Sequence, residues 1–322
     1  MISVIVPAWG IEAYLDKAIE SLLQQDYQAV EFLLIDDASP DGCPSICDAW
    51  ASTDDRVRVF HHSENRGLSA ARNTGLDAAR GRLIMFLDGD DIALSGFFRV
   101  PLEAVEETGA DIVVFNPERI DVSGNHLDTE WTFLMKSQGV LGRDEAIIAL
   151  AKGDIFDFAW NKIYRRELFR DIRFPEGEKW EDMAVSYKLF SQAKTIACIP
   201  DKLVGYRERP ESLVMQDACA ARIIIADRHY EAMDYLAGLG LRECAQAMEA
   251  RAVEDDILFL HLASGRPRFA ESFNRVRTRV LEHATQGSSL GKQQRLSLAL
   301  LRVSPGLFSV AVKLWRRIRG RA

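Results

Sequence analysis

The chain has 322 residues, 48% apolar and 27% charged, with five cysteines and a formal net charge of −8. This is globular composition at a length that suits two domains, and it excludes a disordered, collagen-like or disulfide-stapled chain. No apolar run reaches the roughly 18 residues a membrane-spanning helix needs, and Met1–Pro7 lacks the basic start and cleavage pattern of a signal peptide. Cys43 and Cys47 are too far apart for a Cys-x-x-Cys pair, so a reduced, cytosolic (cytoplasmic) protein is expected.

In chain order, Ile2–Val6, Val30–Ile35, Val57–His61, Leu83–Leu87 and Ile112–Phe115 are short apolar runs of the kind that form buried parallel strands. Between the first two, Ile11, Leu15, Ile19, Leu22 and Leu23 share one helical face. Leu68, Ala71, Gly75, Leu76 and Ala79 do so before the fourth. This alternation predicts an α/β fold with a doubly wound, mostly parallel sheet, whose ligands bind beyond the C-terminal strand ends. From Asn116 to Tyr206 the pattern is mixed, with Ser123–Ser137 expected as a mobile loop. From about Asp217 the strands disappear, and Ala220–Leu239, Arg242–Leu262, Phe269–His283 and Gly306–Arg319 read as helices. The expected boundary lies near residue 215, with a helical C-terminal extension over 216–322.

The second strand ends in Asp36-Asp37-Ala-Ser39, followed by Asp41-Gly42, and the fourth in Asp88-Gly89-Asp90-Asp91. Turn chemistry would explain either cluster alone. Two clusters on adjacent strand ends would repel unless a cation lay between them, which favours Mg²⁺ or Mn²⁺. Arg72 falls between Leu68 and Leu76 on an apolar stripe. Its expected partners are strand-end carboxylates or a ligand phosphate, the alternative being a side chain that reaches out to water. His61-His62 closes a strand with no partner motif and reads as structural. The chain has no G-x-x-x-x-G-K-[ST] loop, no G-x-G-x-x-G after the first strand and no G-x-S-x-G elbow. Pro7-Ala8-Trp9-Gly10 offers an aromatic face for a base instead.

Ser3-Val-Ile-Val-Pro7, Ile35-Asp36-Asp37-Ala-Ser39, Asn65-Arg-Gly67-Leu-Ser-Ala-Ala-Arg72-Asn73-x-Gly75 and Phe86-Leu-Asp88-Gly-Asp90-Asp91 together resemble the family 2 glycosyltransferases of the GT-A fold. The four motifs occur in order over about the first 115 residues. The resemblance implies that Pro7, Trp9 and Asp37 line the nucleobase and ribose site and that Arg72 lies beside the nucleotide. It also implies that Asp88 and Asp90 form an Asp-x-Asp motif, with Asp90 and Asp91 touching ribose or metal. Where the family usually has Tyr-Asn, this chain has Trp9-Gly10, which keeps the aromatic face and loses an amide.

Trp160-Asn161-Lys162-Ile-Tyr164-Arg-Arg-Glu167-Leu168 and Trp180-Glu181-Asp182 resemble the bacterial polysaccharide branch of that family. There the Glu-Asp pair supplies the general base, here Asp182. Tyr206-Arg207-x-Arg209-x-x-Ser212 matches the same branch near its acceptor or diphosphate end. On spacing alone Glu181 and Asp182 equally suit the acidic first turn of a helix, and Trp160 and Lys162 suit packing and a surface charge. The resemblance thus divides residues 1–215 into a nucleotide-binding half, 1–115, and an acceptor and catalytic-base half, 116–215.

The implied chemistry is transfer of a sugar from a nucleotide sugar, a UDP-sugar, to a saccharide or lipid-linked saccharide hydroxyl with inversion, assisted by a divalent metal. The alternatives are a sugar nucleotidyltransferase on a similar sheet, disfavoured by the absence of a glycine-rich basic loop, and a catalytically inactive scaffold, disfavoured by the retained carboxylates.

After Glu282 there is no acidic residue, while Lys292, Arg295, Arg302, Lys313, Arg316, Arg317, Arg319 and Arg321 are basic. The acidic body argues against a nucleic-acid partner. Gly306–Arg319 places Leu307, Val310, Ala311, Leu314 and Ile318 on one helical face. That face suits peripheral attachment to an anionic leaflet, packing on the helical region or a second subunit, and a solvated helix remains open.

Overall fold

The computed structural model describes residues 1–127, 134–209, 218–284 and 290–318, and for 316–318 the backbone only. The chain divides into two units, Met1–Pro210 and Glu211–Ala322.

The strands of the first unit are β1 (Ile2–Ala8), β2 (Val30–Asp36), β3 (Val57–His61), β4 (Leu83–Phe86), β5 (Ile92–Ala93), β6 (Ile112–Ile120), β7 (Gly139–Gly142), β8 (Lys162–Arg165) and β9 (Thr195–Arg207). They form one sheet in the order β3-β2-β1-β4-β8-β6-β9-β5, with β7 against the first half of β9. β1 and β2 are buried at every residue, their mostly apolar runs broken by Ser3 and Glu31, whose side chains hydrogen-bond to each other at 2.6 Å. β1 pairs in parallel with β2 on one side and β4 on the other. β8 runs antiparallel between β4 and β6, so the sheet is mostly rather than wholly parallel.

This order corrects one expectation. The two carboxylate-bearing strands are not adjacent; β2 and β4 flank β1, whose end at Pro7–Ala8 lies between the clusters. β6 also runs on to Ile120, five residues past Phe115, because its polar second half pairs with β9.

Helices α1 (Glu12–Leu23), α2 (Cys43–Thr53), α3 (Leu68–Ala78), α4 (Arg99–Thr108), α5 (Arg143–Lys152) and α6 (Glu181–Gln192) complete this unit. α1 buries Leu15, Ala18, Ile19 and Leu22. α3 sits very close to the sheet, since a Cβ on Gly75 would lie 2.4 Å from Ile5 Cγ2. Its first residue, Leu68, expected on the inward stripe, is 36% exposed. Within the stretch expected to be mobile, Ser123–Asn125 forms a turn tied to Asp121, whose Oδ1 accepts the Ser123 and Asn125 amides; residues 128–133 lie outside the described ones. All five cysteines are buried and none is in a disulfide.

The described part of the second unit is helical: α7 (Ala218–Gly238), α8 (Arg242–Ala263), α9 (Ala270–His283), α10 (Lys292–Val303) and α11 (Pro305–Ile318). Val253, Ile257, Leu260, Val276, Val280, Leu301, Phe308 and Val312 form its core. α10 escapes the sequence reading because basic and polar residues interrupt its apolar face. α11 buries Phe308 and Val312, while Leu307, Val310 and Leu314, from the face singled out in the sequence, are each more than half exposed. The side chains of Arg316, Arg317 and Ile318, and all of Arg319 and Arg321, lie outside the described residues. Among the described residues no helix is long and apolar enough to cross a membrane.

Candidate active site

The strand ends of β1 and β2 build one wall. Pro7 is buried at the end of β1, and Trp9 beyond it is 53% exposed on a turn that Gly10 completes at φ +65°. At the end of β2, Asp37 Oδ1 accepts the His62 Nδ1 proton at 2.6 Å and the Arg66 amide at 2.9 Å. Asp37 Oδ2 accepts the Gly67 amide at 2.7 Å. Asp37 thus ties β2 to the loop that leads into α3, and Ala38 after it is left-handed at φ 53°. His61 and His62, read from sequence as structural, hold Asp36 and Asp37 respectively. The bond to Asp36 raises the His61 pKa.

Arg72 is the centre of the site. It is 1% exposed, so the reading in which it reaches out to water fails. One guanidinium nitrogen donates to Glu181 Oε1 at 2.8 Å and Asp182 Oδ1 at 2.5 Å, and the other to Asp88 Oδ1 at 3.0 Å. Its head lies 5.3 Å from the ring centre of Phe174 and 5.9 Å from that of Phe86. Phe174 is held there by Asn73, which exchanges two hydrogen bonds with its backbone. Burial acts to lower the Arg72 pKa, but the charges of Asp182, Asp88 and Glu181 prevail and raise it.

Glu181 and Asp182 open α6, after Trp180, which adopts a left-handed φ of 59°. Both therefore occupy the acidic first turn, and Trp180 at the N-cap makes no side-chain capping bond. Both turn to Arg72, and Asp182 Oδ2 also accepts the Ala159 amide at 3.1 Å. Burial pushes the Asp182 pKa up to about 7, opposed by Arg72 and helped by Glu181 and Asp88. A carboxyl poised near neutrality and partly open to solvent can exchange a proton with a bound hydroxyl.

Asp90 and Asp91 follow β4, where a Cβ on Gly89 would lie 2.8 Å from the Pro7 carbonyl oxygen and 2.6 Å from Ile11 Cδ1. Asp90 forms an ion pair with Arg209. Asp91, the second expected metal ligand, is buried, and its Oδ1 accepts the Arg207 amide at 2.8 Å. Arg207 is also buried, donating to the carbonyls of Asp90, Asp121 and Val122. Arg207 and Arg209 both lie over the Tyr14 ring. Burial and then the neighbouring aspartates raise the pKa of Asp90 and, further, of Asp91. Crowded hard-oxygen donors held above their usual range fit a divalent cation. Among the described residues, however, no group of three His, Cys, Asp or Glu converges on one cation position.

Trp160 and Lys162 are both interior. Trp160 stacks on Phe158 at 4.8 Å and on Tyr206 at 5.6 Å, and Phe158 stacks on Phe156. Lys162, read from sequence as a surface charge or an acceptor-side group, is fully buried. Its Nζ donates to the Phe156 and Phe158 carbonyls and to Asn161 Oδ1, and burial lowers its pKa to about 8. Ser212 lies outside the described residues. The structure therefore brings Arg72, Asp88, Glu181 and Asp182 into one cluster and Asp90, Asp91, Arg207 and Arg209 into a second. Sequence reading gave Asn73 no role and His62 no partner, and it missed the aromatic stack. The only signal for the stack was the alternation Phe156, Phe158, Trp160.

Comparison with known proteins agrees with this architecture. Residues 3–173 match the family described as Glycosyl transferase family 2. Glycosyltransferase GlyG of Streptococcus pneumoniae is 32% identical over 66% of this chain and 73% of its own length. The uncharacterized glycosyltransferase EpsJ of Bacillus subtilis is 34% identical over 66% of this chain and 62% of its length. Among solved structures, Staphylococcus aureus TarS residues 1–349 in complex with UDP-GlcNAc gives a TM-score of 0.75 at 19% identity, over 98% of this chain and 91% of that one. The chain belongs to glycosyltransferase family 2 and is a glycosyltransferase with the GT-A fold.

Proposed function

We propose that this enzyme transfers a sugar from a nucleotide sugar, most simply a UDP-sugar, to a saccharide hydroxyl with inversion, in cell-surface polysaccharide or lipid-linked saccharide synthesis. The observation that carries the reading is the placement of Asp182, at a helix start, on a buried arginine that also holds Asp88. TarS is described with UDP-GlcNAc and with UDP. A Campylobacter jejuni relative, 30% identical over 54% of this chain, is a glucosyltransferase named for an undecaprenol-linked acceptor.

In this reading Trp9 offers its ring to the base and Asp37, fixed by His62, faces the ribose side. Asp182 accepts the acceptor hydroxyl proton as that oxygen attacks the anomeric carbon; each carboxylate oxygen retains a lone pair beyond its present bond. Arg72 keeps Asp182 oriented and holds Asp88 in place. Arg209 and Arg207 lie on the side where the diphosphate departs. Mg²⁺ or Mn²⁺ would be held by Asp90 and Asp91 and would neutralise charge on the leaving group. The Pyrobaculum calidifontis mannosyltransferase PcManGT, a fold neighbour at TM-score 0.56, is described with GDP-Man and Mn²⁺. The exposed apolar side of α11 and the basic residues Arg302 and Lys313 suit an anionic membrane surface. Assaying nucleoside diphosphate release and sugar transfer from a panel of nucleotide sugars with Mn²⁺ tests the reading. Wild-type transfer that persists in Asp182→Asn would remove its central residue.

A further inference from the structure

The N-terminal ends of the parallel strands carry a second cleft. It is an open cleft of about 610 Å³ between α3, α4 and the segment after β8, lined by Arg82, Arg165, Arg166, Arg170 and Arg173 with Leu83, Val105 and Phe169. Asp77, Glu106 and Glu167 also line it, so cations exceed anions. Leu83 begins β4 and Asp88 follows its end, which separates this cleft from the active site by about 16 Å of extended chain.

Three of the arginines are engaged. Arg165 pairs with Asp111, Arg173 with Asp77, and Arg166 donates to the Ala79 carbonyl. Arg82 and Arg170 are exposed, and neither side chain makes a hydrogen bond or ion pair among the described residues. Two free guanidinium forks at a concave, partly apolar wall, backed by three fixed ones, match the planar, bidentate recognition of a phosphate group.

We propose that this cleft binds the phosphate group of a phosphomonoester or phosphodiester, independently of the donor nucleotide at the other end of the sheet. The apolar wall of Leu83, Val105 and Phe169 gives a lipid phosphate a contact that inorganic phosphate lacks.

The test uses the full chain and two probes, inorganic phosphate and dihexanoyl phosphatidic acid below its micelle concentration. Binding is followed through the arginine Nε–H resonances and by calorimetry. The Arg82→Glu/Arg170→Glu protein should lose at least about tenfold in affinity for whichever probe binds, with melting temperature and UDP affinity unchanged. Tighter binding of the lipid phosphate assigns the site to a lipid headgroup, and equal binding assigns it to free phosphate esters. The milder Arg82→Gln/Arg170→Gln protein should show a smaller loss in the same direction. Equal affinity in wild type and both variants, or no shift of any arginine resonance with either probe, overturns the proposal.

Discussion

Arg72 on α3 donates a 2.5 Å hydrogen bond to Asp182 on α6, joining residues 110 positions apart in the chain. The same guanidinium holds Asp88, so the strand end bearing the Asp-x-Asp motif and the helix bearing the proposed base share one counter-ion. The end of β4 at Asp88 and the start of α6 at Asp182 are therefore tied through one buried side chain.

Removing that charge leaves three carboxylates facing one another. Arg72→Met should cost about 3 kcal/mol, the lower end of the range for breaking a buried pair, because Asp88, Glu181 and Asp182 keep 16–27% side-chain exposure. Arg72→Lys restores charge without the fork and should recover stability better than turnover. Denaturant titration and transfer rates on the same preparations check this. Equal recovery of both would show that charge alone matters.

With the Asp182 pKa pushed up to about 7, the transfer rate should rise with pH to a plateau above neutrality. Asp182→Asn should abolish that limb and lower turnover by roughly 10²–10⁴-fold while leaving donor affinity intact. Stability should move the other way. A carboxyl with a folded pKa above its unfolded value favours the folded state most below about pH 4, and that contribution is lost as pH rises through about 7. Urea midpoints of wild type and Asp182→Asn should lie nearest each other at about pH 4 and separate toward pH 8, with wild type falling relative to the Asn variant.

Lys162 gives a prediction of opposite character. Its Nζ anchors two carbonyls and the Asn161 amide beneath the aromatic stack, so Lys162→Met should cost about 2–3 kcal/mol through unpaired acceptors, with donor affinity unchanged. Because burial depresses its pKa to about 8, below the unfolded value, wild-type stability from this group should rise between about pH 8 and 10.5. Lys162→Met should lack that rise in pH-dependent denaturation, and a donor KM that shifted by more than its stability loss would contradict a purely structural role.

For α11, full-length protein should sediment with anionic but not neutral liposomes at low salt, and a truncation after Ser304 should lose most of that binding. Equal pelleting of both proteins, or none, would leave the exposed Leu307, Val310 and Leu314 to contact protein instead.

The buried strands, and the acids that end them, were legible in the sequence because parallel strands buried on both faces are mostly apolar rather than alternating. The insertion of β1 between the two acidic strands was not, since strand order is a long-range property. Arg72 was visible as a charge on an apolar stripe, but its simultaneous hold on Asp88 and Asp182 depends on α6 arriving from 110 residues away. The burial of Lys162 was hidden for the opposite reason. A lysine beside an aromatic run gives no local sign that backbone carbonyls will converge on it. On α11 the apolar face through Leu307 and Leu314 was legible, but the second one, through Phe308 and Val312, which is the face that is buried, was not.

The absence of a side chain at Gly89 has its own consequence. Pro7 and Ile11 leave no room for even a methyl group there, so the chain turns tightly between Asp88 and Asp90. Two acids separated by one residue can then answer to different counter-ions, Asp88 to Arg72 and Asp90 to Arg209. A search for altered donor preference that randomised the whole Asp88–Asp91 loop would fail mostly at its middle position, for want of space rather than chemistry. Libraries that keep glycine there and vary the flanking arginines sample the electrostatics of this corner without dismantling it.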